Sequence, residues 1–381
     1  MHCHNSRQLK GILFFLLLFM IAVPCLGQQV SYQQISGTIL DVETNEPLAG
    51  VNVFLASRLQ GSTTDRNGRF VLESVLPGSY KVVASIIGYD SEFVLIEVLP
   101  DQPPTNVAIR LTPIVYELEG VTVVSEEPKE WRKQLARFEE LFLGTSSNAK
   151  ETQIMNDYVL SFREEDGIFE AFASEPLEIE NHGLGYNLTF ILDQFRHDEE
   201  EALKYTLGTW RFEEMETTNR KLLTKWGKQR EYVFKGSLQH LLWSMIHLKT
   251  DEEGFYLLRD STDRAPYPET FLTKYYPLDE RTILRRTKKQ YEYKMAFRDY
   301  IRIYYERKGD RVRLFSKEKP PPAEQLSYMK MNRVGEATIH ESGYLYSPAG
   351  VSSAVTVYGF LASRGVADLL PQEYSLQRSE E

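Results

Sequence analysis

Cysteine is almost missing: the 381 residues hold two, Cys3 and Cys25, both near the N-terminus. Without thiols in the rest of the chain, a disulfide framework and a thiolate metal site are excluded there. Long apolar runs are as scarce. The single one, Ile12 to Val23, would reach only about 18 Å as a helix, short of a ~30 Å hydrocarbon core. No Gly-x-Ser-x-Gly, P-loop or Gly-x-Gly-x-x-Gly occurs, so the common sequence marks of a serine hydrolase, an NTPase and a dinucleotide enzyme are absent. Positive charge is not in excess either. Lys and Arg number 44 against 54 Asp and Glu, a net of −10, the wrong sign for a general nucleic-acid binder.

What is present begins with Arg7 and Lys10, then the apolar run, then Cys25-Leu26-Gly27. A basic region, an apolar region and a small residue at the end predict a signal peptide over residues 1–27. Acylation of Cys25 is the alternative, against which stands Pro24 where a lipobox has a small residue. Removal of residues 1–27 takes away two basic residues and no acid, leaving 42 against 54 and a net charge of −12. The expected destination is the periplasm, the outer membrane or the cell surface.

From Ile35 the chain alternates apolar and polar residues in short runs: Ile35 and Ile39; Val51, Val53 and Leu55; Phe70 and Leu72; Val82 and Ala84; Phe93, Leu95 and Val98; Val107, Ile109 and Leu111. Turn residues separate them at Asn45-Glu46-Pro47, Asp65-Arg66-Asn67-Gly68, Pro77-Gly78 and Gly88-Tyr89. The pattern predicts an all-β sandwich of about seven strands over residues 30–115. Asp65 to Gly68 lacks the spacing and the closing Glu of a calcium loop, so turn chemistry is its simpler reading.

The blocks Ile35-Ser36-Gly37-Thr38-Ile39, Pro47-Leu48-Ala49-Gly50-Val51-Asn52-Val53, Thr63 to Phe70 and Leu76-Pro77-Gly78-Ser79-Tyr80 resemble the carboxypeptidase regulatory-like domain. The resemblance implies a transthyretin-like fold and an envelope protein of Bacteroidota, where such modules precede transporter plugs. It implies no peptidase activity, because a fold is not a function. Leu118-Glu119-Gly120-Val121-Thr122-Val123-Val124 looks like the segment that joins this module to a plug. The roughly 250 residues that follow are too few for a barrel of about 22 strands at ~10 residues each with turns and plug.

After a linker at 116–127, residues 128–381 read as an α+β domain with antiparallel strands and a few helices. Trp131, Leu135, Phe138, Leu141 and Phe142 predict a helix over 128–143 that Gly144 ends. A hairpin is expected about Asp166-Gly167. A long helix, or two broken near Lys235-Gly236-Ser237, is expected between 218 and 248, and a short one from Ser363 to Leu370. Further strands are predicted at 185–195, 205–212, 254–258, 298–305, 311–316, 337–341 and 354–360. Phe142 to Ala149, Pro176 to Asn181 and Val366 to Pro371 resemble the region accompanying the same module in other Bacteroidota envelope proteins, with no activity attached.

Two clusters carry chemistry. His197-Asp198-Glu199-Glu200 has the His-x-x-Glu spacing of a zinc pair, with His340 as a possible third ligand. The competing reading is a solvated turn, since Asp198 to Glu201 are four acids in a row. His240 and His247 lie seven apart, not at the i, i+4 spacing of helical metal pairs, so structural roles are expected. No catalytic residue, metal site or cofactor is therefore assigned.

The second cluster is residues 281–313, twelve basic side chains against four acidic, interleaved with tyrosines. Arg285, Arg286, Lys288, Lys289, Tyr291, Arg298, Tyr300, Arg302, Arg311 and Arg313 form a candidate surface for an anionic glycan or an envelope protein. The plainer reading makes them the solvent face of a hairpin about Lys308-Gly309-Asp310, with Arg302 outward and Ile301 and Ile303 inward. The functional expectation is an exported, non-catalytic envelope protein with a sandwich docking module and a larger partner-binding domain. Its rivals are a zinc peptidase and an accessory component of TonB-dependent outer-membrane transport.

Overall fold

A computed structural model describes residues 32–100, 102–114, 129–200, 203–260, 276–289, 291–306, 326–332, 335–346 and 354–374. The first seven strands are β1 (Gln33–Asp41), β2 (Asn52–Leu55), β3 (Gly61–Thr63), β4 (Arg69–Val75), β5 (Gly78–Ser85), β6 (Glu92–Val98) and β7 (Thr105–Leu111). They form a sandwich of two sheets, ordered β4-β1-β7 and β3-β2-β5-β6. The β1–β7 pair is parallel and the others are antiparallel. Ile35, Ile39, Val53, Leu55, Phe70, Leu72, Val82 and Ile109 meet between the sheets, as the alternation predicts. At the Asp65 turn, the carboxylate accepts the N–H groups of Asn67 and Arg69 at 2.8 and 2.9 Å, and Gly68 takes φ +68°. The acid closes its own backbone turn.

Strand β6 departs from the expected pattern. Val94, Ile96 and Val98 face the core, whereas Phe93 and Leu95 turn outward and are 37% and 64% exposed.

The linker expected at 116–127 lies outside the described residues; helix α1 (Lys129–Leu143) stops at Gly144, whose φ of +92° a side chain would resist. It covers a six-stranded sheet made of β8 (Thr152–Ile154), β9 (Leu160–Glu165), β10 (Ile168–Ala173), β11 (Leu177–Asn181), β12 (Tyr186–Asp198) and β13 (Leu203–Glu214). Phe138 and Phe142 of the helix pack on Phe190 and Phe195, with ring centroids 4.9–6.3 Å apart. Asp166 and Gly167, both at positive φ, make the predicted hairpin turn. In the long β12–β13 hairpin a bulge sets Asp193 out of register between Leu192 and Gln194.

Helices α2 (Arg220–Phe234) and α3 (Leu238–Ile246) are separated where the sequence predicts, at Lys235-Gly236-Ser237. Asn219 caps the first and Ser237 the second through side-chain oxygens that accept helical N–H groups. The remaining strands are β14 (Phe255–Asp260), β15 (Tyr276–Pro277), β16 (Leu284–Arg286), β17 (Glu292–Met295), β18 (Tyr300–Tyr305), β19 (Leu326–Met331), β20 (Ala337–His340), β21 (Leu345–Tyr346) and β22 (Val355–Gly359). They form two antiparallel sheets, β15-β14-β18-β19-β22 and β16-β17-β20-β21. Leu241, Leu242 and Met245 of α3 share a core with Phe255, Ile301, Ile303, Met329 and Ile339.

Two expectations fail here. Residues 363–370 are not a helix but hold a 3-10 turn at Val366–Asp368, after another at Phe360–Ala362. Strand β18 lies in the middle of its sheet, between β14 and β19, and is not the outer strand of a hairpin. The predicted strand at 311–316, with Arg311 and Arg313, lies outside the described residues. No helix among the described residues is long and apolar enough to cross a membrane.

Candidate functional site

The sandwich is fastened to the rest of the chain by the tip of its β2–β3 hairpin. Ser57, at φ +63°, donates its N–H to Trp210 at 2.7 Å, Arg58 accepts from Phe212 N–H at 3.0 Å, and Ser57 accepts from Gln372 N–H at 3.0 Å. The tip thus bonds through its backbone to the edge of β13. Leu59 packs against the core under α1, and the Ser57 hydroxyl meets the Tyr344 hydroxyl at 2.7 Å. Arg58 is 3% exposed, paired with Glu373 at 3.1 Å and stacked 4.7 Å from the Tyr80 ring. A guanidinium so buried requires its partner, since removal of either charge strands the other away from water.

Beside this anchor, the outer face of the β3-β2-β5-β6 sheet looks across at the β12–β13 hairpin. Cross-strand pairing sets Val83 beside Phe93, Lys81 beside Leu95 and Ser79 beside Glu97 on that face. Between the two surfaces lies a cleft of about 770 Å³, a size suited to a small ligand. Its apolar walls are Val83, Phe93, Leu95, Ile191 and Leu207; Arg58, Tyr80, Tyr344 and Tyr346 also line it. The buried Tyr346 hydroxyl has no hydrogen-bond partner among the described residues. Lys81 donates to Thr209 Oγ1 at 2.7 Å and sits 4.4 Å from the Phe93 ring centroid. Burial holds its ammonium below the usual lysine range, with Asp193 opposing that shift.

At the far end of the face, Glu97 accepts from Tyr291 Oη and pairs with Lys289 Nζ, each at 3.0 Å. Burial first, then the bond to Glu97, raises the Tyr291 phenol. Two members of the predicted cationic surface are therefore engaged in holding the sandwich. The others do not make one face. Arg285 lies opposite Lys294 with Glu336 at 2.7 Å, while its neighbour Arg286 turns to the other side of the strand, its guanidinium 5.9 Å from the Tyr293 ring. Lys288 and Arg298 are exposed. Tyr300 is buried beneath Lys330, and Arg302 is 4% exposed beside the Tyr328 ring. The outward orientation expected for Arg302 is overturned because β18, flanked on both edges, is buried on both faces.

The zinc reading finds no support in the arrangement. His197 lies on β12 and His340 on β20, in different sheets, and Glu200 sits in the exposed turn after β12. Among the described residues no group of three or more His, Cys, Asp or Glu could hold a metal ion. Glu199 of the acidic run pairs with Arg137 at 2.5 Å, as a solvated turn would. His340 is 3% exposed and accepts from Ser342 N–H at 3.1 Å; burial, and then Arg58, depresses its pKa to about 3. His240 is 1% exposed between Gly236 N–H and Glu253, whereas His247 is exposed just after α3. Neither the tip nor the cleft was expected from sequence. The available clue was Leu59, an apolar residue in a hairpin turn where polar residues are the rule.

Comparison with known proteins adds a family and a relative. A TonB-dependent receptor of Formosa agariphila is 28% identical over 123 residues, which is 32% of this chain and 11% of the receptor. The chain thus spans about a tenth of that relative's length. Among solved structures, a minor pilin of Streptococcus agalactiae is 17% identical over 23% of this chain and 46% of its own, with a TM-score of 0.20. A DUF3823 family protein of Bacteroides ovatus is 12% identical over 49% and 83%, with a TM-score of 0.17. At such scores these two likenesses carry no argument. The sandwich is placed by sequence: residues 35–123 match the CarboxypepD_reg-like domain family.

Proposed function

We propose that this is an exported, non-catalytic protein of the cell envelope that binds a protein or an anionic glycan with both of its parts acting as one body. The observation that carries the reading is the buried anchor of Ser57, Arg58 and Leu59, which makes the regulatory-like sandwich a fixed component and not a tethered module. The family match and the receptor relative favour the envelope. Arg285, Arg286, Lys288 and Arg298 stay exposed, where an acidic partner would meet their charge. Cell fractionation followed by cross-linking in the envelope tests the proposal. A specific cross-linked partner, or retention on an immobilised polyuronate, should weaken when Arg286, Lys288 and Arg298 are changed together to Glu. A protein recovered only from the cytoplasm would sink the reading.

The receptor relative favours a second reading, an accessory component of a TonB-dependent transport system. Co-purification with a barrel protein, weakened by deletion of residues 116–124, is its test. Residues 116–124 lie outside the described residues.

A further inference from the structure

We infer that the cleft between the sandwich and the β12–β13 hairpin binds a carboxylate carried on an apolar chain, with the carboxylate at Lys81. The inference goes beyond the partner reading above, and either can fail without the other.

The apolar part of the argument is the lining. Phe93 and Leu95 are large side chains facing outward from an edge strand, and Ile191 and Leu207 face them from the opposite hairpin. Apolar surface on two facing walls favours an apolar body between them, because both walls leave water when it enters. A sugar or a free inorganic anion would leave that surface without a match.

The polar part is Lys81. No carboxylate among the described residues lies within the 4.0 Å of an ion pair with its Nζ. One of its donors is taken by Thr209 Oγ1 and the Phe93 ring flanks it, which leaves hydrogen-bonding capacity directed at the cleft. The other charges of the lining differ. Arg58 is matched by Glu373, and Glu97 and Glu292 both lie within ion-pair distance of Lys289, while Glu92 and Asp193 are exposed; the Asp193 charge acts on Lys81, but from beyond ion-pair distance. Lys81 is thus the half-buried cation against which an incoming carboxylate would make a charge-assisted bond. Burial disfavours the Lys81 ammonium, and an anion placed beside it would favour that form again.

Isothermal titration with decanoate, 1-decanol and decylamine tests this on the purified protein. Decanoate should bind at least about tenfold more tightly than decanol, the worth of one hydrogen bond to a charged group, and decylamine more weakly than either. Lys81→Met should bring decanoate to the level of decanol and leave decanol unchanged, while Lys81→Arg should keep the preference. Leu95→Asp, at a position already open to water, should weaken both ligands without lowering the melting temperature. The inference is overturned by absence of decanoate binding, by equal affinity for decanoate and decanol, by a preference for decylamine, or by full decanoate affinity in Lys81→Met. Should Lys81→Met fail to fold, loss of the decanoate preference in Lys81→Arg, or unchanged affinity for both ligands in Leu95→Asp, overturns the inference.

Discussion

Acidification should destabilise the protein through His340. Its imidazole is buried beside Arg58 and the Tyr291 and Tyr346 rings, and its pKa falls to about 3 from the usual 6.5. Below pH 6.5 the unfolded chain takes up a proton that the folded chain refuses, so stability is full above that pH and declines as pH falls toward 3. Each unit well inside that window removes about 1.4 kcal/mol, hence about 2–3 kcal/mol between pH 7.5 and 4.5. His340→Asn keeps an acceptor for Ser342 N–H but cannot titrate there. Urea unfolding at pH 7.5, 6.5, 5.5 and 4.5 should show wild type losing about 2–3 kcal/mol more than the variant across the range. Carboxylates such as Asp41 and Asp65, held low by backbone N–H groups, affect both proteins alike. Equal losses in the two would refute the assignment of a neutral, buried His340.

Other consequences are as direct. Arg58→Met should cost about 3–5 kcal/mol by leaving Glu373 without its partner, and Glu373→Met added to it should recover part of that loss in the same urea assay. Tyr291→Phe removes the bond to Glu97 and should lower stability by about 1–3 kcal/mol, read by thermal unfolding. Gly185→Ala sets a side chain at φ +72° against the Trp226 ring, and should cost about 2 kcal/mol or more while red-shifting tryptophan emission as that ring is displaced.

The sandwich could be read from sequence because its turns and alternation agree with each other, from Ile35 to Leu111. The break at Gly236 and the stop at Gly144 were legible for the same local reason. Strand β6 was not, since Phe93-Val94-Leu95-Ile96 is apolar at every position and alternation cannot choose which pair faces inward. Arg302 misled because an Ile-Arg-Ile stripe implies one wet face, whereas every residue of β18 is buried, Arg302 beside Tyr328 of the neighbouring strand. The anchor was out of reach for a related reason. Ser57 meets Tyr344 across 287 residues and Arg58 meets Glu373 across 315, so no local pattern records either contact.

The measurement that bears most directly on the account is hydrogen exchange at the anchor. If sandwich and remainder form one body, the amides of Ser57, Phe212 and Gln372, each bonded across the contact, should exchange as slowly as the interior of the β12–β13 hairpin. Exchange at Ser57 as fast as at an exposed turn would mean that the sandwich swings free, and the single-body reading would be wrong.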